Sequence, residues 1–164
     1  MFEFRSVGFD VCEMLKIAHA NKIVLMDLKP ANIVRVCNVR DGSIHHKTID
    51  FDHAIELHKY IHGTSSSSSA VVGGTPRYIA PEVARAMLTG NNEQQQHYQF
   101  KPTVAIDVFS FALWVFEVYN HQVSLWEQLG ADITNDQEVL VIATQLTDEQ
   151  IDRVINKRFN ADLQ

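Results

Sequence analysis

Asp27-Leu28-Lys29-Pro30-Ala31-Asn32 is the stretch from which the rest of this chain is best read. Pro30 has no backbone N–H to donate and a φ fixed by its ring, so no helix or paired strand runs through it. Residues 27 to 32 are therefore expected to form a loop, and that loop carries a carboxylate, an ammonium and a carboxamide close together. A single loop Asp is ordinarily a turn cap, because Asp is a common turn residue. Whether Asp27 is more than that depends on its neighbours.

On the N-terminal side, Val7, Val11, Met14, Leu15 and Ala18 recur at helical spacing, and Asn21-Lys22 ends that helix. A short apolar run, Ile23 to Met26, leads into the loop. On the C-terminal side, residues 32 to 39 are rich in β-formers (Ile33, Val34, Val36, Val39). Arg40-Asp41-Gly42-Ser43 is a hairpin turn, and residues 44 to 51 return as the partner strand. That hairpin is expected to bring Asp50 near the loop at 27 to 32.

Further on, Thr64 to Ser69 has the composition of a flexible linker. Gly73-Gly74-Thr75-Pro76 is a turn, and Ala80-Pro81-Glu82 starts a short helix with Pro at its first position. Residues 90 to 99, with Gln94-Gln95-Gln96, read as a solvated polar loop. Asp107 is a plausible N-cap for a helix whose residues from Val108 to Tyr119 are apolar on all faces. Such a helix is expected to be buried on all sides, at the centre of the domain. After Tyr119 the pattern weakens until Thr147-Asp148-Glu149-Gln150, a capping box that opens a helix with Ile151, Val154, Ile155 and Phe159 on one face.

The 164 residues suffice for one domain with a real core, and no internal repeat divides them. With 46% hydrophobic and 21% charged residues the chain fits a soluble globular protein. Its net charge of −6 argues against a nucleic-acid partner, which needs a basic face. Cys12 and Cys37 are expected to be reduced thiols of an intracellular, cytoplasmic protein. Met1 to Phe9 does not read as a signal peptide. The longest apolar stretch, Val108 to Val118, is broken by Ser110 and Glu117 and is too short to span a bilayer, so no membrane segment is expected.

Asp27-Leu28-Lys29-Pro30-Ala31-Asn32 resembles the catalytic loop of protein kinases in its Ser/Thr form, D-x-K-P-x-N. Asp50-Phe51-Asp52 stands where that family has D-F-G. Gly74-Thr75-Pro76-Arg77-Tyr78-Ile79-Ala80-Pro81-Glu82 resembles the end of its activation segment, and Asp107-Val108-Phe109-Ser110-Phe111 the start of its buried central helix. These motifs occur in the family's order, and the resemblance covers about residues 7 to 125.

It implies an α+β, mainly α fold like the kinase C-terminal lobe, with a short β-hairpin and a buried central helix. The catalytic loop would be 25–32, the activation segment 50–82 and the central helix about 107–119. Residues 1–164 would form a partial protein kinase domain without the N-lobe. The implied activity is ATP-dependent phosphoryl transfer to Ser/Thr of protein substrates when an N-lobe completes the site, with ATP and Mg²⁺ as cofactors. By the same resemblance Asp27 accepts the proton of the substrate hydroxyl and Lys29 faces the transferring phosphate. Asn32 and Asp50 supply hard oxygens for Mg²⁺. Thr75 helps hold Asp27 and Lys29, and Asp107 braces the loop through backbone N–H groups. Glu82 pairs in the family with a buried Arg of a later helix, which cannot be identified here.

The departures are as specific. The H-R-D site reads Leu25-Met26-Asp27, and a Met thioether cannot bind the activation-loop phosphate that the family's Arg binds. Phosphorylation of Thr64 or of Ser65 to Ser69 is therefore not expected to switch the site by that route. Asp52 replaces the D-F-G glycine, which alters both backbone freedom and local charge, and Ala112 replaces a frequent glycine. No Gly-rich loop or Val-Ala-Ile-Lys-like strand precedes residue 7. The chain alone is expected to bind ATP poorly. The alternative is a pseudokinase-like binding or scaffold module, or a truncated fragment. His53, His58 and His62 lack the Glu of a zinc motif and are read as surface histidines, although His58 and His62 would share a face were that segment helical.

Overall fold

The structure is a computed structural model that describes residues 2–57, 61–62, 73–90 and 99–161. It is mainly helical, with short antiparallel strand pairs. Helix α1 (Phe2–Ala20) turns Val11 and Leu15 inward against Leu25, Leu28 and Trp114, with Val7, Met14 and Ala18 alongside. These are the residues whose spacing predicts the helix. Asn21 ends it by hydrogen-bonding the Ile17 carbonyl through both its backbone N–H and its Nδ2. Lys22 then turns the chain at φ +60°.

Strand β1 is only Ile23–Val24, shorter than the apolar run to Met26, because its partner β4 (Ile55–Glu56) is equally short. The hairpin forms as β2 (Ile33–Cys37) and β3 (Ile44–Thr48), in register from Ile33↔Thr48 to Cys37↔Ile44. Its turn is wider than Arg40 to Ser43, running through residues 38 to 43 with Gly42 at φ +70°. Asp10 of α1 fastens this hairpin: its Oδ2 accepts hydrogen bonds from the His46 backbone N–H and Nδ1, both at 2.8 Å. β5 (Ile61–His62) pairs with β6 (Gln99–Phe100), so His62 lies on a strand. The Thr-Ser run 64–69, His58 and the Gln run 94–96 lie outside the described residues.

The larger core gathers α2 (Pro81–Gly90), α3 (Ala105–Tyr119), α4 (Leu125–Gln128) and α5 (Asp136–Thr144) around Val83, Ala84, Ile106, Leu113, Trp126, Val139 and Ala143. Two expectations for α3 need correction. Asp107 is not its N-cap, since the helix starts at Ala105 after Val104. Nor is α3 buried on all sides. Val108 is 54% and Tyr119 56% exposed, and Ala112 between them is exposed too, so one stripe of an apolar helix lies open among the described residues. The chain beyond Tyr119 is also better ordered than its pattern suggests. Ser124 and Glu127 form a capping box on α4, and Asn135 caps α5 through the Glu138 N–H. The box at Thr147 opens α6 (Asp148–Ala161), with Gln150 Oε1 taking the Thr147 N–H at 2.9 Å.

Candidate functional site

Pro30 forces a single 3-10 turn, Pro30–Asn32, between β1 and β2, and this presents Asp27, Lys29 and Asn32 on one short arc. Asp27 is the hub. Its Oδ1 accepts hydrogen bonds from the Thr75 backbone N–H at 2.8 Å and from the Thr75 Oγ1 at 2.7 Å. Its Oδ2 accepts from Lys29 Nζ at 2.7 Å and from Asn32 Nδ2 at 3.3 Å. Lys29 Nζ also donates to Thr75 Oγ1 at 2.7 Å, which closes a ring of Asp27, Lys29 and Thr75. Burial alone would raise the Asp27 carboxyl. The Lys29 ammonium and the Thr75 donors outweigh it and hold the group below its usual value.

Thr75 reaches this loop because Gly73 and Gly74 let the chain come close. A Cβ on Gly74 would stand 3.1 Å from the Met26 carbonyl oxygen, and one on Gly73 would stand 2.6 Å from the His53 ring. Met26 itself is 3% exposed, at φ +69°, within the larger apolar core. Below the loop, the fully buried Asp107 carboxylate accepts from the Leu25 N–H at 2.9 Å and the Met26 N–H at 3.0 Å. His19 of α1 meets the same carboxylate through Nε2 at 2.8 Å.

Asn32 spends its Nδ2 on the Asp27 carbonyl and carboxylate, while its Oδ1 takes no hydrogen bond among the described residues. A buried amide oxygen left in that condition, with a carboxylate at Asp50, is the donor chemistry Mg²⁺ takes. Asp50 follows the Ile49 N–H bond to the Asn32 carbonyl and sits exposed at φ +64°, its Oδ1 3.4 Å from the Asp52 N–H. Among the described residues no three His, Cys, Asp or Glu converge as a metal centre, His53 included. Glu82 is half-buried at the start of α2, with no ion-pair partner among the described residues.

Three residues of this neighbourhood went unread in the sequence: His19, Arg77 and Glu117. Glu117 is, with Asp107, one of two carboxylates in a mostly apolar helix. Such a charge is rarely buried unpaired, so its position was itself a signal that a cation faces it. The cation is Arg77, joined by Nε–Oε2 and Nη2–Oε1 bonds of 3.0 and 2.9 Å, and Tyr78 adds its hydroxyl at 3.0 Å.

The description "protein kinase domain" matches residues 2–161. The inhibitor of nuclear factor kappa-B kinase subunit beta of Bos taurus is 34% identical over 108 residues, 66% of this chain and 12% of that protein. The probable serine/threonine-protein kinase gdt4 of Dictyostelium discoideum is 30% identical over 121 residues, 74% of this chain and 6% of its own length. The serine/threonine-protein kinase MPS1 of Saccharomyces cerevisiae is 37% identical over 98 residues, 58% of this chain and 12% of that protein. The chain thus spans only a small part of the curated relatives it matches. With the kinase domain matched over nearly all of its residues, this chain belongs to the eukaryotic-type protein kinase family.

Proposed function

We propose that this chain is the C-terminal lobe of a Ser/Thr protein kinase, which transfers the γ-phosphoryl group of ATP to a protein hydroxyl once an N-lobe completes the site. The closed ring of Asp27, Lys29 and Thr75 carries this proposal. Each Asp27 oxygen already holds two donors, which fills its lone pairs. A substrate hydroxyl can therefore reach Asp27 only when one donor leaves. Lys29 is the one with somewhere to go: it is 22% exposed, and a multiply charged phosphate competes for its ammonium with the single charge of Asp27. Its departure frees Oδ2 to take the hydroxyl proton. Asn32 and Asp50 would hold Mg²⁺, which supplies charge neutralisation on the phosphates. The fold would act in the cytoplasm, where its exposed, free Cys12 and Cys37 stay reduced.

The test is phosphoryl transfer from ATP to a Ser- or Thr-containing protein by the chain joined to a kinase N-lobe. Asp27→Ala should lower the rate by about 10²-fold or more, as loss of a positioned base does. Equal rates in wild type and variant would mean that the measured activity is not this site's. Met26, buried where the family places an Arg, favours a second function, a binding module without catalysis. Under it, ATP with Mg²⁺ would leave the melting temperature of the joined protein unchanged.

A further inference from the structure

We propose that the Arg77–Glu117 ion pair is a positioning device for Asp27 and Lys29, acting through Thr75. The proposal rests on Asp27, Lys29 and Thr75 being the site described above. Thr75 and Arg77 belong to one short piece of chain. The Tyr78 N–H bonds the Thr75 carbonyl at 2.9 Å, which closes the 3-10 turn Pro76–Tyr78 directly after Thr75. Any rigid-body shift of that turn moves the Thr75 N–H and hydroxyl away from Asp27.

None of Pro76, Arg77 and Tyr78 is fully buried, and only Tyr78 of the three packs against the apolar cores, as a partly buried ring. Arg77 adds directional anchorage to that contact. Its guanidinium makes a bidentate pair with Glu117 and a further bond, at 3.3 Å, to the Gln122 carbonyl. Its own carbonyl accepts from the indole N–H of the fully buried Trp126 at 2.8 Å. A planar guanidinium bound at both forks fixes orientation as well as distance, which a Lys ammonium would not. Glu117 side-chain atoms are 9% exposed, so the pair is little screened from the Glu117 side. The catalytic loop is therefore held from two directions by α3: from below by Asp107, and from the activation-segment side by Glu117 through Arg77 and Thr75.

The experiment is amide hydrogen exchange on the 164-residue chain, read at the Thr75 N–H, with the helix α1 amides as a remote reference. Arg77→Met removes the anchor but leaves a buried carboxylate. The double variant Arg77→Met, Glu117→Leu removes both charges and so avoids the unpaired Glu117 that could unfold the single variant. In the double variant Thr75 exchange should speed up by about tenfold or more while α1 keeps its protection. Arg77→Lys, which retains the charge without the fork, should show a smaller change of the same pattern. Unchanged Thr75 exchange in the folded double variant overturns the proposal. So does an equal acceleration across Thr75 and α1, which would make the pair a general stabiliser. No nucleotide is present, so an inactive kinase leaves this result intact.

Discussion

Replacing Asp107 by Ala should be among the most damaging single changes in this chain, and its size can be worked from the bonds it breaks. The Asp107 carboxylate is 0% exposed and accepts from the Leu25 and Met26 N–H groups, which lie on residues 6% and 3% exposed. Ala leaves both N–H groups buried without a partner, at about 1–3 kcal/mol each. His19 Nε2 loses the same acceptor, but its side chain is 17% exposed and water can partly replace it. The expected loss is therefore about 2–6 kcal/mol, a large share of the roughly 5–15 kcal/mol that holds a domain folded. A domain of this size melts about 2–4 °C lower per kcal/mol lost, so the transition should fall by roughly 4–24 °C. Asp107→Asn keeps one acceptor oxygen but points an NH₂ at a backbone N–H, and should lose somewhat less. The assay is urea or thermal unfolding followed by circular dichroism. A midpoint for Asp107→Ala within about 1 kcal/mol of wild type would refute the argument, because at least one of those N–H groups would have to be reaching water.

Thr75→Val keeps the shape and the N–H but removes the hydroxyl that Asp27 and Lys29 share, so the Asp27 carboxyl should titrate closer to its usual range, as read by carbon NMR. In the wild type that depressed carboxyl has a definite sign. Its contribution to stability is complete above about pH 4 and is lost as the pH falls through the lower value of the folded state. A melting curve as firm at low pH as at neutral pH would contradict this. Tyr78, pushed up to about 12 by burial and by Glu117, should stay un-ionised when an ordinary tyrosine has titrated at about 10, and ultraviolet titration should separate it from the others. Because the folded state keeps that proton longer than the unfolded chain, stability should decline as the pH rises between those values. Gly73→Ala would set a Cβ 2.6 Å from the His53 ring. The His53 ring, at the end of a half-exposed side chain, must swing away, and unfolding should report a loss of about 0.5–1.5 kcal/mol.

Much of the fold was legible because local chemistry and tertiary structure agree here. The period of Val7, Val11, Met14 and Leu15 and the Thr147 box each act within a few residues and formed where expected, and the Asp41-Gly42 turn joins the expected hairpin, though within a wider turn of residues 38 to 43. Pro30 likewise placed the loop. The errors come from contacts that cross the chain. Asp107 looks like an N-cap in sequence because a short acid before an apolar run usually is one. Its partners are instead the N–H groups of residues 25 and 26, more than 80 positions away. The expectation of a wholly buried α3 failed for a related reason. An apolar helix shows that burial is needed, not what provides it, and the stripe at Val108, Ala112 and Tyr119 is not covered by the described residues.

Within the candidate site the legible residues are those of one short loop, and the unread ones are those that hold the loop in place. Asp27, Lys29 and Asn32 share six consecutive positions, so a local pattern can carry all three. His19 and Glu117 act from helices α1 and α3; a lone His has no pattern of its own, and Glu117 among apolar residues signals a facing cation without saying which one. Yet the two acids of α3 divide the support between them. Asp107 fixes the backbone entering the loop, and Glu117, through Arg77 and the turn after Thr75, faces the donors that close over Asp27. Both are carboxylates at least nine-tenths buried in a helix otherwise built for the core, and burying them costs stability unless every lone pair finds a donor. The geometry makes sense of that cost. A greasy residue at either position would offer apolar contact, but it could not orient a backbone N–H or a guanidinium fork, and orientation is what the proposed phosphoryl transfer would ask of its scaffold.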